Sequence, residues 1–119
     1  MSGLNDYLNL IVAKFGEILR SFNAKEFPEI TINKIKESIA IVKDCEDNFP
    51  KIQIELKDTL IDLKNLLIRF ISSIQNFNKD FVAARKEFKK SCLKKFKDEL
   101  IKSKWTNFKA FTDLENMLI

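Results

Sequence analysis

The chain has 119 residues, of which 45% are hydrophobic and 32% charged, and its formal net charge is +4. This length suffices for one domain with a single core, and the content of Ile, Leu and Phe is too high for a disordered chain. Only two Gly and two Pro occur, so a sandwich or barrel would lack its turns and we expect an all-α fold.

The first two predicted helices cover residues 3–23 and 30–48. Apolar residues of the first helix recur at steps of three and four, which places them on one face: Leu4, Leu8, Ile11, Phe15, Ile18 and Phe22. Gly16 lies within this helix, where glycine costs about 1 kcal/mol relative to Ala. Either a neighbouring helix passes close to it, or the cost is simply tolerated. Phe27-Pro28 predicts a break. Thr31 is then a candidate N-cap, followed by a stripe of Ile32, Ile35, Ile39, Val42 and Phe49.

After Pro50 the apolar steps continue almost unbroken to Phe88. One long helix over 51–103 would fit, but residues 76–80 are poor helix formers and good caps, which favours two helices, 51–76 and 79–103. Beyond Ala84 the stripe advances by steps of four through Phe88, Cys92, Phe96 and Leu100, so it rotates around the helix. A fifth amphipathic helix is expected over 105–117. Together these elements predict one domain, residues 1–119, folded as an antiparallel up-and-down four-helix bundle with a short C-terminal fifth helix.

The residues required for common catalytic chemistry are missing from the sequence. There is no His and no Gly-rich phosphate loop, which removes the commonest general base and metal ligand and the nucleotide-binding motifs. Glu55, Asp58 and Asp62 share one helix face, but without a Glu-x-x-His pattern we interpret them as a solvated acidic face. We therefore predict no enzyme, no catalytic or metal-binding residue, and no cofactor.

Positive charge is concentrated in the last third of the chain. Residues 1–84 hold 11 basic and 12 acidic side chains, whereas residues 85–119 hold 10 and 5. The candidate contacts for an acidic protein or anionic lipid are Arg85, Lys86, Lys89, Lys90, Lys94, Lys95, Lys97, Lys102, Lys104 and Trp105. Lysine greatly outnumbers arginine here, which disfavours specific nucleic-acid recognition. The alternative is a solvated lysine face whose aromatic residues belong to the core.

Two further features could carry a site. The 11 Phe residues make a bulky apolar interior, which is either a packed core or the lining of a hydrophobic-ligand site; the candidate lining residues are Phe70, Phe77, Phe81, Phe88 and Phe96. Cys45 and Cys92 would lie at one level if helices two and four run in the same direction, so a disulfide is geometrically feasible. Two buried free thiols are the alternative.

These features favour a non-catalytic protein-interaction or scaffold module that pairs with another chain or with itself through its helical seams. The alternative is binding of a lipid or fatty acid, or of an anionic membrane surface, through the basic last third. No apolar run approaches the roughly 18 to 20 residues that span a bilayer, and the N-terminus does not resemble a signal peptide. We therefore expect an intracellular protein, with a secreted mature form as the alternative. The apolar end, Leu118-Ile119, suggests either truncation or a docked terminus.

Overall fold

The computed structural model describes residues 3–23, 28–48, 54–77, 80–106 and 109–119, and within these ranges there are five helices and no strand. The helices are α1 (Leu4–Asn23), α2 (Glu29–Asn48), α3 (Ile54–Ser73), α4 and α5 (Lys109–Met117). A 3-10 turn, Ile74–Phe77, extends α3. Helix α4 joins an α segment (Phe81–Phe88), a π segment (Lys89–Leu93) and a second α segment (Lys94–Lys102). The predicted all-α class is confirmed.

The chain breaks between α3 and α4, so the alternative of a single helix over 51–103 is wrong. Asp80 has a non-helical backbone, with φ −79° and ψ 86°, and its carboxylate accepts the Ala83 N–H at 3.1 Å. This bond satisfies one of the free amides that every helix start leaves. The Asp80 N–H in turn donates to the Phe77 carbonyl at 2.8 Å, which ties the start of α4 to the 3-10 turn that ends α3.

Helix α4 ends in a turn that the sequence did not reveal, and the prediction that the fifth helix begins at residue 105 is wrong. Lys104 adopts a left-handed φ of 61°. The Trp105 N–H donates to the Leu100 carbonyl at 2.9 Å, and the Lys104 N–H donates to the Ile101 carbonyl at 3.0 Å. These two bonds form a Schellman motif. The Trp105 amide therefore caps α4 and does not start the next helix.

Helix α1 lies at the centre of the packing, in contact with α2, α4 and α5, while α2 contacts α3 and α3 contacts α4. From Leu8 to Phe22 its predicted stripe is fully buried: Leu8, Ile11, Phe15, Ile18 and Phe22 are all 0% exposed. Helix α3 buries its own stripe, which consists of Leu56, Leu60, Leu63, Leu67 and Phe70. The apolar periodicity of these two helices thus identified their core faces.

The buried face of α2 contains only part of the predicted stripe: Ile35 and Val42 are 0% exposed, and Phe49 lies outside the described residues. Thr31, Ser38 and Cys45 are buried, whereas Ile32 and Ile39 lie at the edge of the core. Thr31 is also inside the helix, so it is not the N-cap; the Pro28 carbonyl accepts the first helical bond, from Ile32, at 2.9 Å. The Thr31 hydroxyl lies 2.6 Å from the Ser21 hydroxyl of α1. Because these side chains are small, the two helices can approach closely.

The π segment explains why the seam of α4 changes its spacing. Each step of four residues overshoots a full turn of a 3.6-residue helix by about 40°. The Lys94 N–H bonds to the Lys89 carbonyl, five residues back, which places an extra residue in that turn. Phe88, Cys92, Phe96 and Leu100 consequently stay on one face and are at most 1% exposed. The extra residue in the π turn therefore compensates for the rotation of the stripe that the four-residue steps predicted.

Helix α5 packs across α1 and reaches the end of α4, burying Ala110, Phe111 and Leu114. A Cβ on Gly16 would lie 3.4 Å from the Met117 methyl group and 3.4 Å from the Arg20 guanidinium. Of the two interpretations of Gly16, the structure therefore favours the close approach of a neighbouring helix. Among the described helices, none combines the length and apolarity needed to cross a membrane.

Candidate binding surface

The basic residues predicted to contact a partner lie on α4 and on the turn that follows it, and together we call them the basic face. Exposed members are Lys86, Lys90, Lys94, Lys95, Lys102 and Lys104, while Arg85, Lys89 and Lys97 are partly buried. Trp105 is partly buried as well and packs against the core. Lys86, Lys90 and Lys94 occupy successive turns, so the positive charge runs along the length of the helix.

Two members of the basic face are engaged within the chain. The Lys94 ammonium lies 2.7 Å from Asp98, and the Lys97 ammonium lies 3.8 Å from Glu115 of α5. Exposed pairs of this kind contribute little to stability. Within the described part of the chain, the other seven basic side chains have no carboxylate within 4.0 Å. These seven are Arg85, Lys86, Lys89, Lys90, Lys95, Lys102 and Lys104.

Like charges are also placed close together on this helix. Arg85 and Lys89 stand one turn apart, an arrangement that destabilises a helix when both are charged. Partial burial lowers the pKa of Lys89, and the Arg85 charge lowers it further. The Arg85 Nε is itself buried, with no hydrogen-bond partner among the described residues. An anionic partner would relieve this repulsion, which no carboxylate of the described part of the chain compensates by an ion pair.

Exposed apolar side chains lie at both ends of the basic face. Phe81 is 43% exposed and Val82 52% exposed at the start of α4, and Ile101 is 49% exposed at its end. Single exposed apolar residues are ordinary on a protein surface. Their position beside the lysines nonetheless gives a partner two small apolar contacts.

A groove between α3 and α4 extends the basic face onto a second helix, and we call it the α3–α4 groove. Its middle is lined by Leu66 and Arg69 of α3 and by Lys95 of α4. From this middle it continues in two directions with volumes of about 330 Å³ and about 270 Å³. Arg69 is not among the residues predicted from the sequence, because it lies 26 residues before Lys95 and only the packing of the two helices places them together.

A second groove, between α1 and α5, has a volume of about 720 Å³ and a mixed lining that includes Asp6, Leu10, Lys109 and Asp113. Most of its charged groups already form a hydrogen bond or an ion pair within the chain. Asp6 accepts the Gly3 N–H at 3.1 Å at the start of α1, and Lys109 lies 3.7 Å from Asp113. This groove therefore offers a partner less unpaired charge than the basic face does.

The phenylalanines proposed to line a ligand site mostly fill the core. Phe88 contacts Phe15, Phe22 and Phe70 at ring-centroid distances of 6.1, 5.9 and 5.3 Å, and Phe96 contacts Phe15 at 6.0 Å. Such distances are typical of well-packed aromatic side chains. Of the other two candidates, Phe77 packs on Phe70 at 6.1 Å, and Phe81 is too exposed to line an interior site. The grooves described above all open to solvent.

Both cysteines are buried free thiols. Burial raises the pKa of Cys45 to about 11 and that of Cys92 to about 12, because a thiolate would lose its hydration. The Cys92 thiol donates to the Leu66 carbonyl at 3.8 Å. These properties are typical of thiols that pack in a core and react slowly.

Comparison with known proteins finds no matching family model, no similar curated protein and no similar solved structure. Among the described residues, no three Cys, Asp or Glu side chains are grouped so that they could hold a metal ion. Any function must therefore be inferred from the surfaces of the chain itself.

Proposed function

We propose that this chain is a non-catalytic interaction module that binds an acidic protein surface through the basic face of α4. The observation that carries the proposal is the set of seven basic side chains on α4 and the turn after it that have no acidic partner among the described residues. Complementary charge accelerates association and selects the partner, more than it adds affinity. We therefore expect salt-sensitive, reversible binding.

We further propose that the helices form an antiparallel up-and-down four-helix bundle, with α5 as a fifth helix. Contacts joining opposite ends of neighbouring helices support this topology. Tyr7, near the start of α1, bonds to Asp44 near the end of α2 at 3.0 Å. In α3 and α4, Thr59 and Ser103 lie 3.3 Å apart. In such a bundle the apolar faces of the helices pack against one another in the core, so the polar outer faces are left to contact a partner.

The size of the basic face sets a limit on how tightly it can bind. At about 1.5 Å per residue, α4 is roughly 33 Å long. A strip about 10 Å wide along it offers roughly 330 Å² of projected area, below the about 800 Å² per partner of stable complexes. A partner would therefore also have to contact α3 or α1, or else bind transiently.

An anionic membrane surface is the second candidate, and the exposed Phe81, Val82 and Ile101 favour it. An interfacial helix normally inserts its apolar face between the lipids. In α4 that face, which includes Phe88 and Phe96, is buried in the core, so only the three exposed residues could be inserted. We consequently favour an acidic protein as the partner.

Titration with poly-L-glutamate, followed by the fluorescence of Trp105, tests the proposal. We expect saturable binding at about 50 mM NaCl that weakens as salt screens the charges. The double variant K86E/K90E should abolish binding, whereas K36E/K43E, which changes the same charge on exposed positions of α2, should retain it. Equal loss in both variants, or no binding by the native protein, would overturn the proposal. Binding only to vesicles rich in phosphatidylserine would support the membrane candidate instead.

A further inference from the structure

The most specific chemistry outside the core lies in the middle of the α3–α4 groove. Arg69 and Lys95 project from two different helices and line both arms of this groove. Neither has a carboxylate within 4.0 Å among the described residues. The lysines on the outer turns of α4, in contrast, stand on a single convex surface. In the groove, by contrast, two cations stand on two walls and can both approach one small anion.

In the described part of the chain, the acidic residues of the groove form no ion pair with these two cations. Glu87, in one arm, accepts a short hydrogen bond from the Ser91 hydroxyl. In the other arm, Asp98 is paired with Lys94 at 2.7 Å. Asp62 and Glu99 are the other acidic residues that line that arm. These four carboxylates lie at the two ends of the groove and Arg69 and Lys95 lie between them, so an anion is attracted to the middle and repelled from the ends.

The surroundings of Arg69 and Lys95 make an ionic contact there stronger than one on the outer face. Leu66, which is partly buried, and Phe70, which is 3% exposed, supply the apolar floor. An apolar floor excludes water from one side of the contact, and charges interact more strongly where water is displaced. The planar Arg guanidinium also matches both oxygens of a carboxylate, while Lys acts as a second point charge.

The volumes fit one side chain better than a larger ligand. At about 330 Å³ and about 270 Å³, each arm lies at or below the lower end of the range for small-molecule pockets, about 300–1,000 Å³. We infer that the α3–α4 groove receives a single Asp or Glu side chain of the acidic partner, whose carboxylate is held by Arg69 from α3 and Lys95 from α4. This inference rests on the proposed function and specifies its anchoring contact.

A double-mutant cycle with a decaglutamate peptide tests the inference. Affinities are measured by calorimetry at about 150 mM NaCl for the native protein and for R69Q, K95Q and R69Q/K95Q. Because both side chains would hold one carboxylate, each single variant should weaken binding about tenfold, and the double variant little more than either single variant. The matched control K36Q/K43Q removes the same charge from exposed positions of α2, outside the basic face, and should weaken binding less than about threefold. K86Q/K90Q removes that charge from the basic face outside the groove and should weaken binding, but less than R69Q/K95Q does.

The outcomes separate the groove from the wider proposal. If R69Q and K95Q have additive effects, or if K86Q/K90Q weakens binding as much as R69Q/K95Q, the groove holds no specific carboxylate and only general attraction by the basic face remains. If the native protein does not bind the peptide even at about 50 mM NaCl, the proposed function fails together with the inference. Circular dichroism melts of the variants, all at exposed positions, check that the fold is unchanged.

Discussion

Deletion of Lys90 should convert the π segment of α4 into regular α-helix without unfolding the protein. Lys90 is exposed and lies within the five-residue turn closed by the bond from the Lys94 N–H to the Lys89 carbonyl. Without it, these two groups are four residues apart, as in an α-helix. Phe96 and Leu100 then keep their places in the core. The free energy of unfolding should fall by no more than about 2 kcal/mol, because only a surface residue is lost.

A matched deletion in α3 should have a very different result, since that helix has no π turn to absorb it. Deletion of the exposed Asn65 would rotate the following residues by about 100°. Leu67, Phe70 and Ile74, which are at most 3% exposed, would leave the core. Losing a large buried side chain costs roughly 2–5 kcal/mol. Three such losses are comparable to the whole stability of a domain, about 5–15 kcal/mol.

Urea unfolding followed by circular dichroism at 222 nm distinguishes the two variants. We expect a cooperative transition with native helical signal for the Lys90 deletion, and little or no folded protein for the Asn65 deletion. If the Lys90 deletion also loses its helical signal, or loses more than about 4 kcal/mol of unfolding free energy, the π segment is not what keeps the seam of α4 in register. Backbone NMR shifts of residues 94–102 provide an independent measure.

Three further outcomes follow from single positions. Lys104→Gly should raise the melting temperature by roughly 2–4 °C, because glycine accommodates the left-handed φ of 61°. The expected gain in the free energy of unfolding is about 0.5–1 kcal/mol. Lys104→Ala, which removes the charge but keeps Cβ, should not raise the melting temperature. Phe88→Ala should cost about 3–5 kcal/mol of unfolding free energy in urea titrations, since Phe88 is 0% exposed. The matched Phe81→Ala, at a 43% exposed ring, should cost less than about 1 kcal/mol, and similar losses would contradict the packing. In a Cys45→Ala background, Cys92 should react with Ellman's reagent at pH 8 roughly 100-fold more slowly in the native state than in urea. The pKa of the Cys92 thiol is raised from 9.0 to about 12 in the folded protein. The protonated thiol therefore contributes to the free energy of unfolding below pH 9, and this contribution is lost as pH rises towards 12.

Much of the candidate site could be predicted from the sequence, because charge on one helix is a local property. The excess of basic residues after position 84 identified the helix that forms the basic face. The sequence could not show which of these basic residues form ion pairs within the chain. Lys97 is paired with Glu115, and this contact depends on where α5 docks. Arg69 could not be assigned to the site either, because its link with Lys95 exists only when α3 and α4 pack together.

The amino-acid sequence by itself determined the helical class, the stripes of α1 and α3, and the break at Asp80. Each of these depends on steps of three and four residues or on a cap, so a short stretch of chain contains the whole signal. Only the tertiary structure decided that α2 buries Thr31 and Ser38 in place of Ile32 and Ile39. Hydrophobicity alone favours the isoleucines, but the close approach of α1 leaves room for small hydroxyl side chains. Thr31 bonds to Ser21 of α1, and Ser38 donates to the Lys34 carbonyl within α2. The path of α4 was decided in the same way, since a π turn costs local hydrogen-bond geometry and forms here where it keeps Cys92, Phe96 and Leu100 in a core built by the other helices.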